Sequence, residues 1–163
     1  MSNLDEIEYY KIVNKILNHP EFQKRKQYAH HGNISVFDHS LAVSKVSYYL
    51  AKKLKKDYKI AAVGGLLHDF YYNPWQGVKE KRPFFKKHGF VHAQEAHDNA
   101  IKYFPEYMNN RVENVILRHM FPVNKIPPKY IEGWIVTIAD KYVSCEVLLH
   151  PTFFKYLFGI GGK

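Results

Sequence analysis

Histidine and aspartate side chains occupy positions in this chain where a helical pattern predicts a buried face. Three of them have a valine one turn away on the same face: His39 with Val43, His119 with Val115, and Asp140 with Val136. His68 and Asp69 end an apolar helical segment. A carboxylate in a core is costly unless it is paired or binds a metal ion. Polar groups on the inner faces of separate helices build the metal sites of helical bundles. The pattern therefore predicts a buried metal site.

Helical spacing of apolar residues dominates the chain and predicts the elements that would position this site. The predicted helices cover residues 4–18, about 35–56, about 59–70, 91–104, 107–120 and 129–149. Ser35 is the predicted N-cap of the second helix, with Asp38 completing a capping box. No alternation typical of strands and no interdomain linker interrupts the pattern. We therefore predict one all-α domain over residues 1–163.

The bulk composition narrows the class of protein and of partner. The chain is 46% hydrophobic with a formal net charge of +9, which indicates a folded protein that favours anionic partners. The lysines among residues 52–56 could contact nucleic acid, but the more ordinary interpretation is a solvated helix end. Its single cysteine, Cys145, excludes an intrachain disulfide and is expected to be a buried, inert thiol. No apolar run is long enough to span a membrane and no signal peptide is evident, so we expect a cytoplasmic protein.

Three short motifs carry a resemblance to a known family. The first is Val36-Phe37-Asp38-His39-Ser40-Leu41-Ala42-Val43, the second Gly65-Leu66-Leu67-His68-Asp69, and the third Ile138-Ala139-Asp140-Lys141. Together they resemble the HD superfamily of metal-dependent phosphohydrolases. The likeness covers about residues 30–148. It implies an HD-like bundle of about six or more helices, outside which the N-terminal helix and the C-terminal tail lie.

The resemblance also implies a ligand set. His39, His68, Asp69 and Asp140 match the residues that hold the first ion in this superfamily. Members with two metals add two further histidines, for which His92 and His119 are the candidates, and Asp69 would bridge the ions. Imidazole and carboxylate ligands suit Fe, Mn, Co, Ni or Zn better than Ca, with Mg a further candidate.

The expected activity is hydrolysis of a phosphate ester or anhydride in a small, nucleotide-like substrate by metal-bound hydroxide. Phosphomonoesterase, phosphodiesterase and pyrophosphohydrolase reactions all remain open. Asp69, His68 and Lys141 are the expected catalytic residues. The expected substrate-binding residues are His31, Lys86, Lys87 and His88. Lys86, Lys87 and His88 lie in a long aromatic and basic connection over residues 71–89, which we expect to cover the pocket.

Other functions fit part of the pattern. A regulator that binds metal or nucleotide without turnover would use the same ligands. A basic nucleic-acid-binding protein would explain the charge but not the aspartates on core faces. A helical di-iron oxygenase has no feature in its favour. The superfamily branch that cleaves cyclic dinucleotides usually shows a Gly-Tyr-Pro signature after the His-Asp pair, whereas Phe70-Tyr71-Tyr72-Asn73-Pro74 follows here. Nothing in the sequence indicates an oligomeric state.

Overall fold

The computed structural model describes residues 3–28, 34–72 and 88–149, and within these ranges the chain forms helices and no strand. The seven α-helices are α1 (Asn3–Leu17), α2 (Pro20–Gln23), α3 (Val36–Lys53), α4 (Tyr58–Leu67), α5 (His88–Tyr103), α6 (Asn110–Arg118) and α7 (Ile131–Leu149). Two 3₁₀ helices, Lys24–Gln27 and Pro105–Tyr107, follow α2 and α5. The prediction of an all-α fold is confirmed.

The helix bounds differ from the predicted ones in several places. Helix α3 ends at Lys53 instead of about residue 56, α6 is Asn110–Arg118 instead of residues 107–120, and α7 begins at Ile131 instead of residue 129. The short helix α2 was not predicted, because its four residues are too few to show a period; its start is fixed by His19 as N-cap and by Pro20. Helix α4 ends at Leu67 instead of about residue 70, which leaves His68 and Asp69 just beyond its last turn. Helix α5 begins three residues earlier than predicted.

Ser35 begins α3, as predicted. Its hydroxyl oxygen accepts a hydrogen bond from the backbone N–H of Asp38 at 3.1 Å and donates to the Asp38 carboxylate at 2.6 Å. This cap satisfies a backbone donor that the first turn would otherwise leave without a partner. His39 therefore sits at a defined position in the first turn of α3.

Helix α4 is the centre of the bundle. It contacts α1, α3, α6 and α7, and every residue from Ala61 to Leu67 is buried. Burial on all sides explains why its sequence is apolar all round and not amphipathic. Because α4 ends inside the bundle, the two residues that follow it, His68 and Asp69, also lie in the interior.

Gly65 allows α3 and α4 to approach closely. A β-carbon at this position would lie 3.0 Å from the backbone Cα of Ser44. We expect Gly65→Ala to lower the free energy of unfolding by about 1–2 kcal/mol. Overpacking of the helix contact costs about 1–3 kcal/mol, and the higher helix propensity of alanine offsets at most about 1 kcal/mol of this cost. Urea denaturation measures the change, with the exposed Lys53→Ala as the control. A Gly65→Ala protein as stable as the wild type would mean that the two helices separate without cost.

A polar network joins α1 to the rest of the bundle. The Lys52 amine lies 2.6 Å from Asp5 and also binds Glu8, which accepts hydrogen bonds from the Tyr48 and Tyr58 hydroxyls at 2.8 and 2.9 Å. Lys52 is thus paired within the protein, while its neighbours at positions 53, 55 and 56 are exposed. This arrangement is typical of a solvated helix end, the more ordinary of the two interpretations of the basic run.

One prediction about burial is wrong. Cys145 is exposed, because α7 is apolar on two sides and the described part of the bundle covers only the side that carries Val136 and Val143. In α1 the buried residues are Tyr9, Val13, Ile16 and Leu17, whereas Leu4 and Ile7 are exposed. Among the described residues, no helix is long and apolar enough to cross a bilayer.

Candidate metal centre

His68 and His119 occupy equivalent positions in two different helices. Each is the C-cap residue of its helix, α4 and α6 respectively, and each is fully buried. The Nδ1 atom of His68 lies 2.8 Å from the carbonyl oxygen of Gly65, and that of His119 lies 2.7 Å from the carbonyl oxygen of Ile116. Because a carbonyl oxygen only accepts, both Nδ1 atoms must donate. In the neutral ring the lone pair is then on Nε2, which is the tautomer that a metal ligand requires.

Both Nε2 atoms are directed toward the carboxylates. His68 Nε2 lies 3.5 Å from Asp69 Oδ2 and 3.6 Å from Asp140 Oδ1. His119 Nε2 lies 3.6 Å from Asp69 Oδ1 and 3.1 Å from the Nε2 atom of His92, which α5 supplies. His39 on α3 completes the group, with its Nε2 3.1 Å from Asp140 Oδ1. Five helices, or the residues just after them, therefore place six polar side chains in one buried region.

Asp69 lies between two pairs of histidines. Its Oδ1 atom is 3.5 Å from His92 Nε2 and 3.6 Å from His119 Nε2. Its Oδ2 atom is 3.5 Å from His68 Nε2 and 4.0 Å from His39 Nε2. One carboxylate with a separate oxygen toward each pair has the arrangement of a ligand that could serve two ions.

The donor atoms fall into two sets, within each of which all atoms lie within 4.8 Å of one another. These sets are His39, His68 and Asp140, and His68, Asp69 and His119. Adjacent ligands on one ion, with bonds of about 2.1 Å, stand about 3 Å apart. The separations of 3.1–3.6 Å between neighbouring donors are close to this value.

The Nε2 atom of His68 shows that the residues fit a cation. It is buried and makes no hydrogen bond within the described ranges, and the nearest carboxylate oxygens, of Asp69 and Asp140, lie 3.5 and 3.6 Å away. A buried polar nitrogen that lacks a hydrogen bond costs about 1–3 kcal/mol. A divalent ion would use this lone pair and would also compensate the two buried carboxylates. The donor set therefore fits a transition metal.

The electrostatics of the centre favour positive charge on the His68 side and disfavour it on His119. Burial lowers the pKa of the His68 imidazole, but the carboxylates of Asp69 and Asp140 outweigh it and raise the value to about 9. Burial and the neighbouring His68 and His92 lower the pKa of His119 to about 3. Burial raises the pKa of Asp140, but His39 and His68 hold it well below its usual range. The carboxylates thus attract a cation to the His68 side even against the cost of burial.

The structure describes only some of the residues that are expected to act on the substrate. The Lys141 amine lies 3.5 Å from the carbonyl oxygen of His119, so it stands at the edge of the centre on an exposed part of α7. His88 is the first residue of α5, but its side chain is outside the described part. His31, Lys86 and Lys87 lie outside the described residues. Most of the connection over residues 71–89 does so as well.

Sequence reasoning missed the groups that orient the ligands. The carbonyl oxygens of Gly65 and Ile116 are backbone atoms, so the residue types do not reveal their role. The one indication in the sequence is that each histidine lies three residues later, at a helix end. Tyr71 was expected only as part of the aromatic connection over the pocket; it is buried, and its ring packs edge-on against that of His92, with centroids 5.8 Å apart.

Comparisons with known proteins identify the family and the fold of the chain. The family model described as HD domain matches residues 36–144. A crystal structure of the L. monocytogenes phosphodiesterase PgpH HD domain is 18% identical, with a TM-score of 0.52 over 79% of this chain and 74% of that one. Its complex with cyclic-di-AMP is 16% identical, with a TM-score of 0.53 over 87% and 86% of the two chains. At these identities the structures show a shared fold. No curated protein matches the chain.

Proposed function

The chain belongs to the HD-domain family, and from this we propose that it is a metal-dependent phosphohydrolase acting on a small, nucleotide-like substrate. The observation that carries the proposal is the position of Asp69 between two histidine pairs. We propose that His39, His68, Asp69 and Asp140 hold one divalent ion, and that Asp69, His92 and His119 hold a second. Fe, Mn, Co, Ni and Zn suit these ligands, with Mg a further candidate.

The chemistry requires a nucleophile and neutralisation of phosphoryl charge. When bound, divalent ions would lower the pKa of a coordinated water and neutralise charge on the phosphoryl oxygens. The protein's own contribution is to fix the donors: the Gly65 and Ile116 carbonyl oxygens orient His68 and His119, and Asp69 presents one oxygen to each histidine pair. Burial of the donors limits access of bulk water and strengthens electrostatic interactions in the centre.

Lys141 is the described residue best placed to assist the substrate. It follows Asp140 directly and its amine reaches the backbone of His119 at the edge of the centre. We propose that it binds a phosphoryl oxygen or protonates the leaving group. We propose His68 as a metal ligand whose imidazole also offsets the negative charge of the Asp69 and Asp140 carboxylates.

A nucleotide-like substrate is supported by charge and by the structural relative. The net charge of +9 favours an anionic substrate. The PgpH HD domain of similar fold is in complex with cyclic-di-AMP. This chain lacks the Gly-Tyr-Pro signature. Cyclic dinucleotides should therefore be tested together with nucleoside phosphates and sugar phosphates, and not as the preferred substrate.

The test is metal analysis of the purified protein followed by an activity screen with added Mn, Fe, Co or Ni. Phosphate release detects cleavage of monoesters and of terminal anhydrides, and chromatography of the products detects diester cleavage and the release of pyrophosphate. We expect at least one nucleotide to be cleaved only when metal is present. Binding of metal and nucleotide without cleavage of any compound would favour a regulator without turnover and would contradict the proposal.

The lysines before α5 are proposed to bind the phosphate of the substrate. Replacing both Lys86 and Lys87 with alanine should raise KM about ten-fold or more with little change in kcat, because a charge-assisted hydrogen bond contributes about 1.5–3 kcal/mol. The control removes equal charge at two exposed lysines, Lys53→Ala with Lys56→Ala. Lys53 lies 14 residues along α3 from His39, a distance of about 21 Å. An unchanged KM in the first variant would remove Lys86 and Lys87 from substrate binding.

A further inference from the structure

Arg25 is a fully buried arginine outside the region that the family model matches. It lies in the 3₁₀ helix Lys24–Gln27, whereas the match begins at residue 36. Its Nη1 atom donates a hydrogen bond to the carbonyl oxygen of Tyr71. Its Nε and Nη2 atoms have no hydrogen-bond partner within residues 3–28, 34–72 and 88–149. Burying a guanidinium with most of its donors unused is costly, so stability is a poor explanation for this arginine.

The guanidinium is held in place by aromatic rings. Its central carbon lies 4.2 Å from the ring centroid of Tyr72, 4.8 Å from that of Tyr28 and 5.2 Å from that of Phe70. Cation–π contacts of this kind are worth about 0.5–2 kcal/mol each and favour a planar guanidinium over an ammonium. They fix Nη1 against Tyr71 and offset part of the cost of burial.

Phe70, Tyr71 and Tyr72, the 70–72 segment, follow Asp69 directly and are hydrogen-bonded to α5. The carbonyl oxygen of Phe70 accepts a hydrogen bond from the Asn99 side chain at 2.8 Å, and the N–H of Tyr72 donates to the Glu95 carboxylate at 2.9 Å.

Glu95 and Asn99 are three and seven residues after His92, so all three lie on one face of α5. This face of α5 is therefore attached to the 70–72 segment, and the Tyr71 ring packs on His92 itself.

We infer that Arg25 is a positioning residue for His92. It fixes the Tyr71 carbonyl from the N-terminal side, and Tyr71 in turn places the His92 ring against His119 and Asp69. The inference rests on the proposed function in one respect, the role of His92 toward the second ion. The N-terminal segment, which lies outside the family match, thereby positions the His92 side of the metal centre and not the His39 side.

The first test uses the metal-free protein, so it does not depend on the proposed metals. Arg25→Met keeps an unbranched side chain and removes the guanidinium with its hydrogen-bond donors. With ¹⁵N-labelled histidine, the His92 imidazole resonances should shift in Arg25→Met, and those of His39 on the opposite side of Asp69 should not. The melting temperature should change little, because the buried charge contributes little to stability. Unchanged His92 resonances, or equal shifts at His39 and His92, would overturn the inference.

Arg25→Lys provides a second variant in case Arg25→Met fails to fold. It keeps a cation among the rings but not the planar fork, so it should shift the His92 resonances in the same direction by a smaller amount. Tyr48→Phe is the matched control, since it removes a partly buried hydrogen bond to Glu8 on α1, which involves neither Arg25 nor the 70–72 segment, and should leave His92 unchanged. A His92 shift in Tyr48→Phe as large as that in Arg25→Met would mean that the effect is general loosening.

The second test measures manganese binding by electron paramagnetic resonance. Arg25→Met should weaken the second ion about ten-fold, at the lower end of the effects of outer-shell residues, and leave the first ion unchanged. Equal weakening of both ions, or of neither, would overturn the inference. A wild-type protein that binds one ion would contradict the proposed two-ion site, while the histidine resonances of the metal-free variants would still decide the role of Arg25.

Discussion

Asp69→Ala is expected to reduce phosphohydrolase turnover about a thousand-fold or more while the helical fold survives. Asp69 is the residue whose two oxygens lie separately against His92 and His119 on one side and His68 and His39 on the other. Loss of an outer-shell group already costs about 10–100-fold in metal affinity or activity, and loss of a shared ligand should cost more. The fold has no comparable need for it, because a buried carboxylate is costly to the metal-free protein.

The measurement is kcat at saturating metal for wild type and variant, with circular dichroism and thermal unfolding on the same samples. Loss of a ligand also removes the stabilisation that metal binding provides, so both proteins must be compared with and without metal. Asp98→Ala is the matched control, since Asp98 is an exposed carboxylate on α5 with 66% of its side chain accessible. A folded Asp69→Ala protein within ten-fold of wild-type turnover would refute the proposed mechanism.

The helices that carry the site could be predicted from the sequence because the ligand residues lie on their apolar faces. His39, His119 and Asp140 each lie on a stripe of buried valines, and periodicity alone identifies such a stripe. The start of α3 was predictable for a different reason: Ser35 and Asp38 make a local capping interaction that depends on no other part of the fold.

The end of α4 could not be predicted from periodicity. Phe70 continues the apolar pattern and is fully buried, so the pattern extends the helix through it, yet the chain leaves the helix after Leu67. The side chain of Phe70 instead packs on Phe22 and Phe104, contacts between residues far apart in the sequence. That early end lets two neighbours in the chain both reach the centre, with His68 beside Asp140 and Asp69 beside His39.

Burial on α1 and α7 depends on partners that a single helix does not reveal. Both helices have apolar residues on more than one side, and the bundle covers only part of each, which leaves Leu4, Ile7, Ile138 and Cys145 exposed. Arg25 shows the reverse case. A charged residue in a basic run is ordinarily solvated, and only the tertiary contacts with Tyr71 and Tyr72 explain its burial.

His119→Ala and Asp140→Ala are expected to remove different ions. The donors form two sets: Asp140 belongs to the set with His39, and His119 to the set with Asp69, while His68 is common to both. Wild-type protein should therefore bind two Mn ions, His119→Ala should retain the ion held by Asp140, and Asp140→Ala should retain the ion beside His119 and His92. Turnover should fall at least about 100-fold in both variants, because each ion neutralises part of the phosphoryl charge.

Metal content by mass spectrometry gives the number of ions, and titration followed by electron paramagnetic resonance gives their separate affinities. His97→Ala is the control, since His97 is a histidine of α5, as His92 is, but its ring faces Glu113 and not the centre. One ion in the wild type, with His119→Ala unaffected, would reduce the centre to a single ion held by His39, His68, Asp69 and Asp140. Loss of both ions in each variant would instead mean that the two sets bind metal as one cooperative unit, because Asp69 and His68 connect them.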